Sequence, residues 1–209
     1  MSSEQITVYI NEEQLKAQKE NNYSLFLAKM VNQDFTVIWQ SKGPKATVEN
    51  PSYEYQNTFK LFIPSFQVNY ANSSQEFSPG SSFQSNGKSQ SIELGQTVDL
   101  DDSGIFGEPQ NGGSPGSILI KNHLQGNPHE VLQDAKGNNI FVNTTSGMDI
   151  GKATLIPKDT YQIWFGNYQE TGTIIADNRS NVKTVVLEGG DKKIITYNKE
   201  GDWVDGSPE

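Results

Sequence analysis

The stretch Thr160–Asn198 carries the strongest strand pattern in the chain and sets the fold class that the rest must fit. Tyr161, Ile163 and Phe165 recur at every second position, which is the period of a β-strand with one buried face. Polar turn residues interrupt the apolar runs that follow. The stretch therefore predicts four short β-strands separated by turns.

Two of these four strands are predicted to form a hairpin. The pair Gly189-Gly190 separates Val182–Leu187 from Lys193–Tyr197, and paired glycines favour the tight turns of β-hairpins. Strand patterns of the same kind predict a hairpin in Tyr23–Gln40, one long half-buried strand in Ile92–Leu100, and a tight hairpin turn at Asp134–Asn138. Because no βαβ pattern interrupts these strands, the sequence predicts an all-β protein. A two-layer antiparallel β-sandwich is the expected architecture, with a β-barrel as the alternative.

A single domain is expected to span residues 1–209, a length that one β-sandwich commonly reaches. Residues 107–116 are rich in Gly and Pro and resemble a linker. Strand patterns continue on both sides of them without a change in composition, so the prediction is a surface loop. From about residue 199 the chain becomes an acidic tail, with Trp203 as its one large apolar anchor.

A short resemblance within the chain suggests the hypothesis of an internal repeat. Tyr23–Leu27 and Tyr161–Phe165 both open a predicted hairpin with Tyr followed by a mainly apolar run. Short strands also resemble one another through composition alone, so chance is the alternative explanation.

The charge and the absence of cysteine exclude several classes of function. The net charge of −9 disfavours binding to the phosphate backbone of nucleic acids. A chain without cysteine has no disulfides, thiol catalysis or Cys-ligated zinc. The N-terminus lacks the pattern of a Sec-type signal peptide, and no apolar run reaches membrane-spanning length. We therefore expect a soluble protein that is cytoplasmic or exported by a non-classical route.

Trp164 departs from the pattern of its strand and is the main candidate for ligand binding. It shares the polar face with Gln162, and Tyr168 and Gln169 follow closely in sequence. An aromatic plate beside amide and hydroxyl groups is what a sugar-binding or surface-binding site requires. The sequence thus predicts a non-catalytic, lectin-like protein with a carbohydrate or cell-surface ligand. The alternative is that Trp164 packs beneath a loop.

An acidic turn resembles the start of a calcium-binding loop. Asp99, Asp101 and Ser103 alternate along the chain, and Gly104 occupies the position where such loops turn sharply. The twelfth position holds Gln110, where a bidentate Glu is expected. Calcium is the one cofactor that the sequence suggests, and an ordinary turn at a strand end is the alternative.

Two further classes of function remain open. The Ser-rich segment 72–91 carries Phe77 and Phe83 on one face of an extended strand, as in the membrane hairpins of pore-forming proteins. Pro79-Gly80 interrupts that strand, so a surface loop is the alternative. The third class is a hydrolase whose pair of catalytic carboxylates the sequence does not locate.

Overall fold

The computed structural model describes residues 4–72, 74 and 77–209, and it is built almost entirely of β-structure. The single helix of this described part is α1 (Glu12–Glu20), which begins at Asn11, whose side chain accepts a hydrogen bond from the backbone amide of Glu13. The strands in chain order are β1 (Gln5–Ile10), β2 (Ser24–Val31), β3 (Gln40–Lys42), β4 (Gln56–Lys60), β5 (Phe66–Ala71), β6 (Gln90–Ile92), β7 (Gln96–Leu100), β8 (Gln110–Asn111), β9 (Ile118–Asn122), β10 (His129–Gln133), β11 (Asn139–Val142), β12 (Gly151–Leu155), β13 (Pro157–Gly166), β14 (Lys183–Val186), β15 (Lys192–Tyr197) and β16 (Trp203–Asp205). The all-β prediction is confirmed.

The described strands form four open sheets of four strands each. Their orders are β16-β15-β1-β4, β14-β13-β2-β3, β11-β10-β5-β6 and β12-β9-β7-β8. Pairing is antiparallel except between β1 and β15 and between β7 and β9. All four sheets contribute buried side chains to one large apolar cluster, for example Ile6, Ile163, Val68 and Ile120. This packing of sheet faces around a shared core agrees with the predicted β-sandwich.

The order of the strands shows an internal duplication. Exchanging each strand of β1–β8 with the strand eight places later, and each strand of β9–β16 with the strand eight places earlier, converts one sheet into another. The sheet β16-β15-β1-β4 becomes β8-β7-β9-β12, which is another sheet of the molecule. The same operation converts β14-β13-β2-β3 into β6-β5-β10-β11. The chain from β1 to β8 and the chain from β9 to β16 are therefore pseudo-equivalent halves, and every sheet takes two strands from each half.

Two matching turns support this duplication at the level of single hydrogen bonds. The Asp101 side chain accepts a hydrogen bond of 2.9 Å from the amide four residues later, and the Asn198 side chain makes the same contact at 2.8 Å. Each turn also contains a glycine at its fourth position, Gly104 with φ +80° and Gly201 with φ +81°. Such φ values favour glycine, so the turn after β7 and the turn after β15 require the same residue.

The repeat predicted from Tyr23–Leu27 and Tyr161–Phe165 is a different relationship from this duplication. All of the first segment except Tyr23 lies in β2, and the second lies in β13. These two strands are hydrogen-bonded neighbours, with Leu25 opposite Phe165. The pseudo-equivalent of β13 is β5, and that of β2 is β10. The similarity of the two segments reflects two adjacent strands buried on both faces.

Several predicted strand pairings are wrong. Gly189-Gly190 does not join a hairpin, because β14 pairs with β13 while β15 pairs with β1 and β16 in another sheet. Thr160–Asn198 thus contributes to three strands instead of four. The long strand predicted for Ile92–Leu100 is divided at Gly95, and its two parts, β6 and β7, belong to different sheets. The return strand of β2 is Gln40–Lys42, later than predicted.

The predicted loop and tail each contain a short strand. Within 107–116 the residues Gln110–Asn111 form β8 at the edge of a sheet. In the tail, Trp203 begins β16, and its ring stacks on Phe165 at 5.9 Å between centroids. The predicted anchoring role of Trp203 is confirmed.

Cutting the chain between its halves is expected to leave the protein assembled. A protease site inserted between the exposed residues Pro115 and Gly116 lies outside every strand. Because each sheet combines strands of both halves, separating the fragments would expose the common core to water. We expect the cut protein to elute as one species at the volume of the uncut insertion variant and to separate only in denaturant. Two separate folded fragments under native conditions would contradict an intertwined fold.

Candidate functional site

A cavity of about 330 Å³ lies where β13 ends. We call it the Trp164–Arg179 cavity. Its lining comes from the end of β13 (residues 164–166), the loop residues 167–169, 176 and 178–180, and Tyr23, Phe26 and Gly80. Three of the four residues predicted for ligand binding, Trp164, Tyr168 and Gln169, line this cavity together. The fourth, Gln162, is not part of the lining but contacts Arg179, which is.

Trp164 is the buried floor of the cavity and not an exposed plate. Its side chain is only 3% exposed, and its ring lies 5.7 Å from that of Phe26. The same small apolar cluster includes Ala28, Ile38 and Ile175. The expectation that one face of Trp164 is exposed to solvent is therefore wrong, because the loop after β13 folds back over this side of the sheet. Trp164 instead packs beneath a loop, which was the alternative in the sequence analysis.

Arg179 covers the tryptophan and was not identified from the sequence. Its guanidinium carbon lies 5.0 Å from the Trp164 ring centroid, within the range of a cation–π contact. Its Nη1 donates a hydrogen bond of 2.5 Å to Oε1 of Gln162. Burial lowers the pKa of Arg179 from its ordinary value. The one feature of the sequence that could have drawn attention to Arg179 is that it is the only arginine of the chain.

Tyr168 and Gln169 have different roles at the rim. Tyr168 is 72% exposed, which makes it the solvent-facing aromatic side chain of this cavity. The Gln169 side-chain amide donates to Oγ1 of Thr173 at 2.9 Å and to the carbonyl of Ile174. Gln169 thus fixes the loop that presents Tyr168.

The loops of the two halves meet beside this cavity. The amide of Gly80 donates to the carbonyl of Ile174 at 3.0 Å, and the amide of Ile174 donates to the carbonyl of Ser81 at 2.9 Å. These bonds join the segment after β5 to the pseudo-equivalent segment after β13. The cavity is therefore bordered by two loops that hold each other in place.

The Ser-rich segment 72–91 turns its two phenylalanines toward the protein, and its residues 73, 75 and 76 lie outside the described part. Phe77 and Phe83 pack on a buried cluster of both halves, and the Phe77 ring lies 4.2 Å from that of His129. β6 (Gln90–Ile92) begins at the end of the segment. The pore-forming hypothesis stays a prediction, and the observed contacts give the phenylalanines a role in packing.

The predicted calcium loop has a structural explanation. Oδ1 of Asp101 accepts hydrogen bonds from the amides of Ser103 and Ile105, both at 2.9 Å. Asp99 lies on β7, with Oδ1 at 3.5 Å from Nε2 of His123. The matching turn in the other half uses the neutral Asn198. Within residues 4–72, 74 and 77–209, no group of three His, Cys, Asp or Glu side chains is placed to hold a metal ion. Calcium binding stays an untested prediction.

A larger cavity of about 840 Å³ lies between α1 and the C-terminal residues. Its carboxylates are exposed and belong to Glu12, Glu13, Glu200, Asp205 and Glu209. Glu13 pairs with Lys199 at 3.1 Å, and Asp205 pairs with Lys183 at 2.8 Å. A general acid in a glycosidase requires a desolvated carboxyl group, and these groups are solvated. The hydrolase hypothesis stays a prediction. The structure offers a cleft, but none of these described carboxylates has the desolvated surroundings of a general acid.

Comparison with protein-family models, curated proteins and solved structures finds no match to this chain. In the part of the chain that the structure describes, no helix has the length and apolar character needed to cross a membrane.

Proposed function

We propose that this protein is a non-catalytic binding protein that recognises a glycan or another cell-surface ligand in the Trp164–Arg179 cavity. The observation that carries the proposal is the exposed ring of Tyr168 beside a polar cavity with a buried aromatic floor. A flat apolar surface next to hydrogen-bonding groups matches a sugar ring, which has an apolar face and hydroxyl groups at its edges.

The rim of the cavity supplies the polar part of this recognition. Asn167, Asn178 and Ser180 are exposed and line the cavity. Their amides and hydroxyl offer both donors and acceptors, as sugar hydroxyl groups require. The arrangement supports reversible recognition of polyhydroxylated ligands.

The cavity is also held in shape before a ligand arrives. The side chain of Gln169 is bonded to Thr173 and Ile174, and Gly80 is bonded to Ile174 from the opposite loop. A site that is already ordered loses less conformational entropy when it binds. This supports binding on the two loops without large rearrangement.

Replacing Tyr168 by alanine is expected to weaken glycan binding by about tenfold or more, corresponding to about 1.4 kcal/mol of lost contact. The test is to screen the wild-type protein on a broad glycan array and to measure the affinity of both proteins for the best ligand. Tyr55→Ala is the matched control, because Tyr55 is an exposed tyrosine at the other cavity. Trp164→Ala is unsuitable, since removing a buried ring disturbs the fold.

Two results would end this proposal. One is the absence of any glycan that binds the wild-type protein. The other is a Tyr168→Ala protein that binds as tightly as the wild type and the Tyr55→Ala control.

A further inference from the structure

Among the described residues, no carboxylate forms an ion pair with Arg179 within 4.0 Å. Ion pairs within 4.0 Å in the described residues involve Lys16, Lys19, Lys29, Lys183, Lys199 and His123. Arg179 belongs to none of them, although the chain has nine more negative than positive charges. Its described hydrogen bond goes to Gln162, a neutral amide. The described lining of the cavity therefore gives the only arginine of this acidic protein no neutralising group.

The position of this guanidinium is fixed by the fold. One side lies over the Trp164 ring, which is itself nearly fully buried. The bond to Gln162 on β13 ties the group to the sheet. Arginine has five N–H donors in a planar fork, and Gln162 takes one of them. Arg179 lines a cavity whose other described side chains, among them Tyr168, Asn178 and Ser180, are all neutral.

A half-buried, immobilised guanidinium of this kind suits an oxyanion. Carboxylates and sulfates accept two parallel hydrogen bonds from arginine, and such bonds are strongest where water is partly excluded. The net negative charge of the protein does not prevent this, since at physiological ionic strength distant charges are screened beyond roughly 8 Å. Asp177 is exposed and borders the adjoining cavity with Arg179, yet it makes no ion pair with it in the described residues.

We propose that the ligand of the Trp164–Arg179 cavity is an acidic saccharide whose carboxylate or sulfate group pairs with Arg179. This inference rests on the proposed function, because it assigns the ligand class of the same site. In this arrangement Tyr168 contacts the apolar face of the sugar, and Arg179 binds its negative group. Neutral sugars lack the second contact and bind more weakly.

The experiment compares three sets of oligosaccharides of matched length: neutral, carboxylated with uronic or sialic acids, and sulfated. Wild-type protein is expected to bind at least one acidic set at least tenfold more tightly than the neutral set. Arg179→Met, which keeps an apolar contact with Trp164, is expected to lose this preference. Arg179→Lys, which keeps the charge without the planar fork, is expected to retain part of it. The sets distinguish a carboxylate from a sulfate as the source of the oxyanion.

A measurement without substitution guards against a folding defect in the variants. The affinity of the wild-type protein for the acidic set is expected to fall as sodium chloride is raised, while its affinity for neutral sugars stays constant. Equal binding of neutral and acidic sets, with Tyr168→Ala still weakening both, would overturn the acidic ligand and leave glycan binding intact. No binding of any set would overturn both proposals.

Discussion

Replacing Asp134 by alanine is expected to lower the free energy of unfolding by about 3–5 kcal/mol, because one buried carboxylate satisfies four donors. Its Oδ1 accepts from the amides of Lys136 and Asn138 at 2.9 and 3.0 Å. Its Oδ2 accepts from Nε1 of Trp39 and from the side-chain amide of Asn138, both at 3.0 Å. The first pair shapes the turn between β10 and β11, and the Trp39 bond joins that turn to the other half of the chain. Alanine leaves these donors unpaired.

Replacing Asp134 by asparagine separates the effect of lost hydrogen bonds from the effect of lost side-chain volume. Asp134→Asn preserves the volume and one acceptor, but its amide group presents a donor where Trp39 and Asn138 also present donors. We expect a loss of about 2–3 kcal/mol for this variant. Asp101→Ala is the matched control, since Asp101 supports an exposed turn, and its cost is expected to be about 1 kcal/mol. Urea denaturation followed by circular dichroism measures all three. A loss below about 1 kcal/mol for Asp134→Ala would show that water replaces the carboxylate.

The sequence located strands more reliably than strand partners. Alternation of Tyr161 and Ile163 with polar residues correctly predicted their burial, since both are fully buried in β13. The turn at Asp134–Asn138 was predicted correctly because a local Asx and glycine pattern determines it. Gly189-Gly190 has equally favourable turn chemistry, but the partner of β15 is β1, whose residues lie 187 positions earlier in the chain (Gln5 pairs with Lys192). Local chemistry allows a turn without fixing which strand lies opposite.

The internal duplication was not predicted from the sequence, because few matching positions of the two halves carry the same residue. What remains alike is mainly the turn that contains Gly104 and Gly201, where backbone φ restricts the choice. Elsewhere the matching strand ends differ, since Asn69 lies near the end of β5 and Trp164 lies near the end of β13. Tyr168 and Gln169 were found because they follow Trp164 closely. Arg179 was missed because a single cation in a polar loop belongs to no periodic pattern, and only folding places it over the tryptophan.

Raising the pH above about 10 is expected to unfold the protein, because two buried tyrosines resist ionisation. The hydroxyl of Tyr53 donates to the carbonyl of Tyr23 at 2.9 Å, and that of Tyr161 accepts from Nζ of Lys29 at 3.0 Å. Both tyrosines are fully buried, and burial raises the pKa of each well above its ordinary value. In the unfolded chain they ionise near pH 10, so the stability present below that pH is lost as the pH rises toward the folded-state pKa values. The loss is about 1.4 kcal/mol per pH unit for each tyrosine.

Lys29 makes the stability rise with pH, opposite to the effect of the tyrosines, over a limited pH range. Burial lowers its pKa, and the nearby Asp159 carboxylate, 3.2 Å from Nζ, offsets only part of this effect. The folded state therefore releases the lysine proton first, and stability rises with pH between the folded-state pKa and the ordinary value of 10.5. Above that value the contribution of Lys29 is constant, and the ionisation of Tyr53 and Tyr161 makes the stability fall as the pH rises. Stability is expected to hold up to about pH 10 and then to fall by about 3 kcal/mol per pH unit.

An alkaline titration that records tyrosinate absorbance and far-ultraviolet circular dichroism on the same sample tests this sign and slope. Tyr53 and Tyr161 are expected to ionise only together with the loss of β-structure. The variants Tyr53→Phe and Tyr161→Phe each lose about 1 kcal/mol at neutral pH but show a shallower alkaline decline. Tyr168→Phe, at an exposed position, leaves the decline unchanged. Smooth ionisation of all eight tyrosines near pH 10 with the sheets intact would show that water reaches Tyr53 and Tyr161, and the burial argument for both would fail.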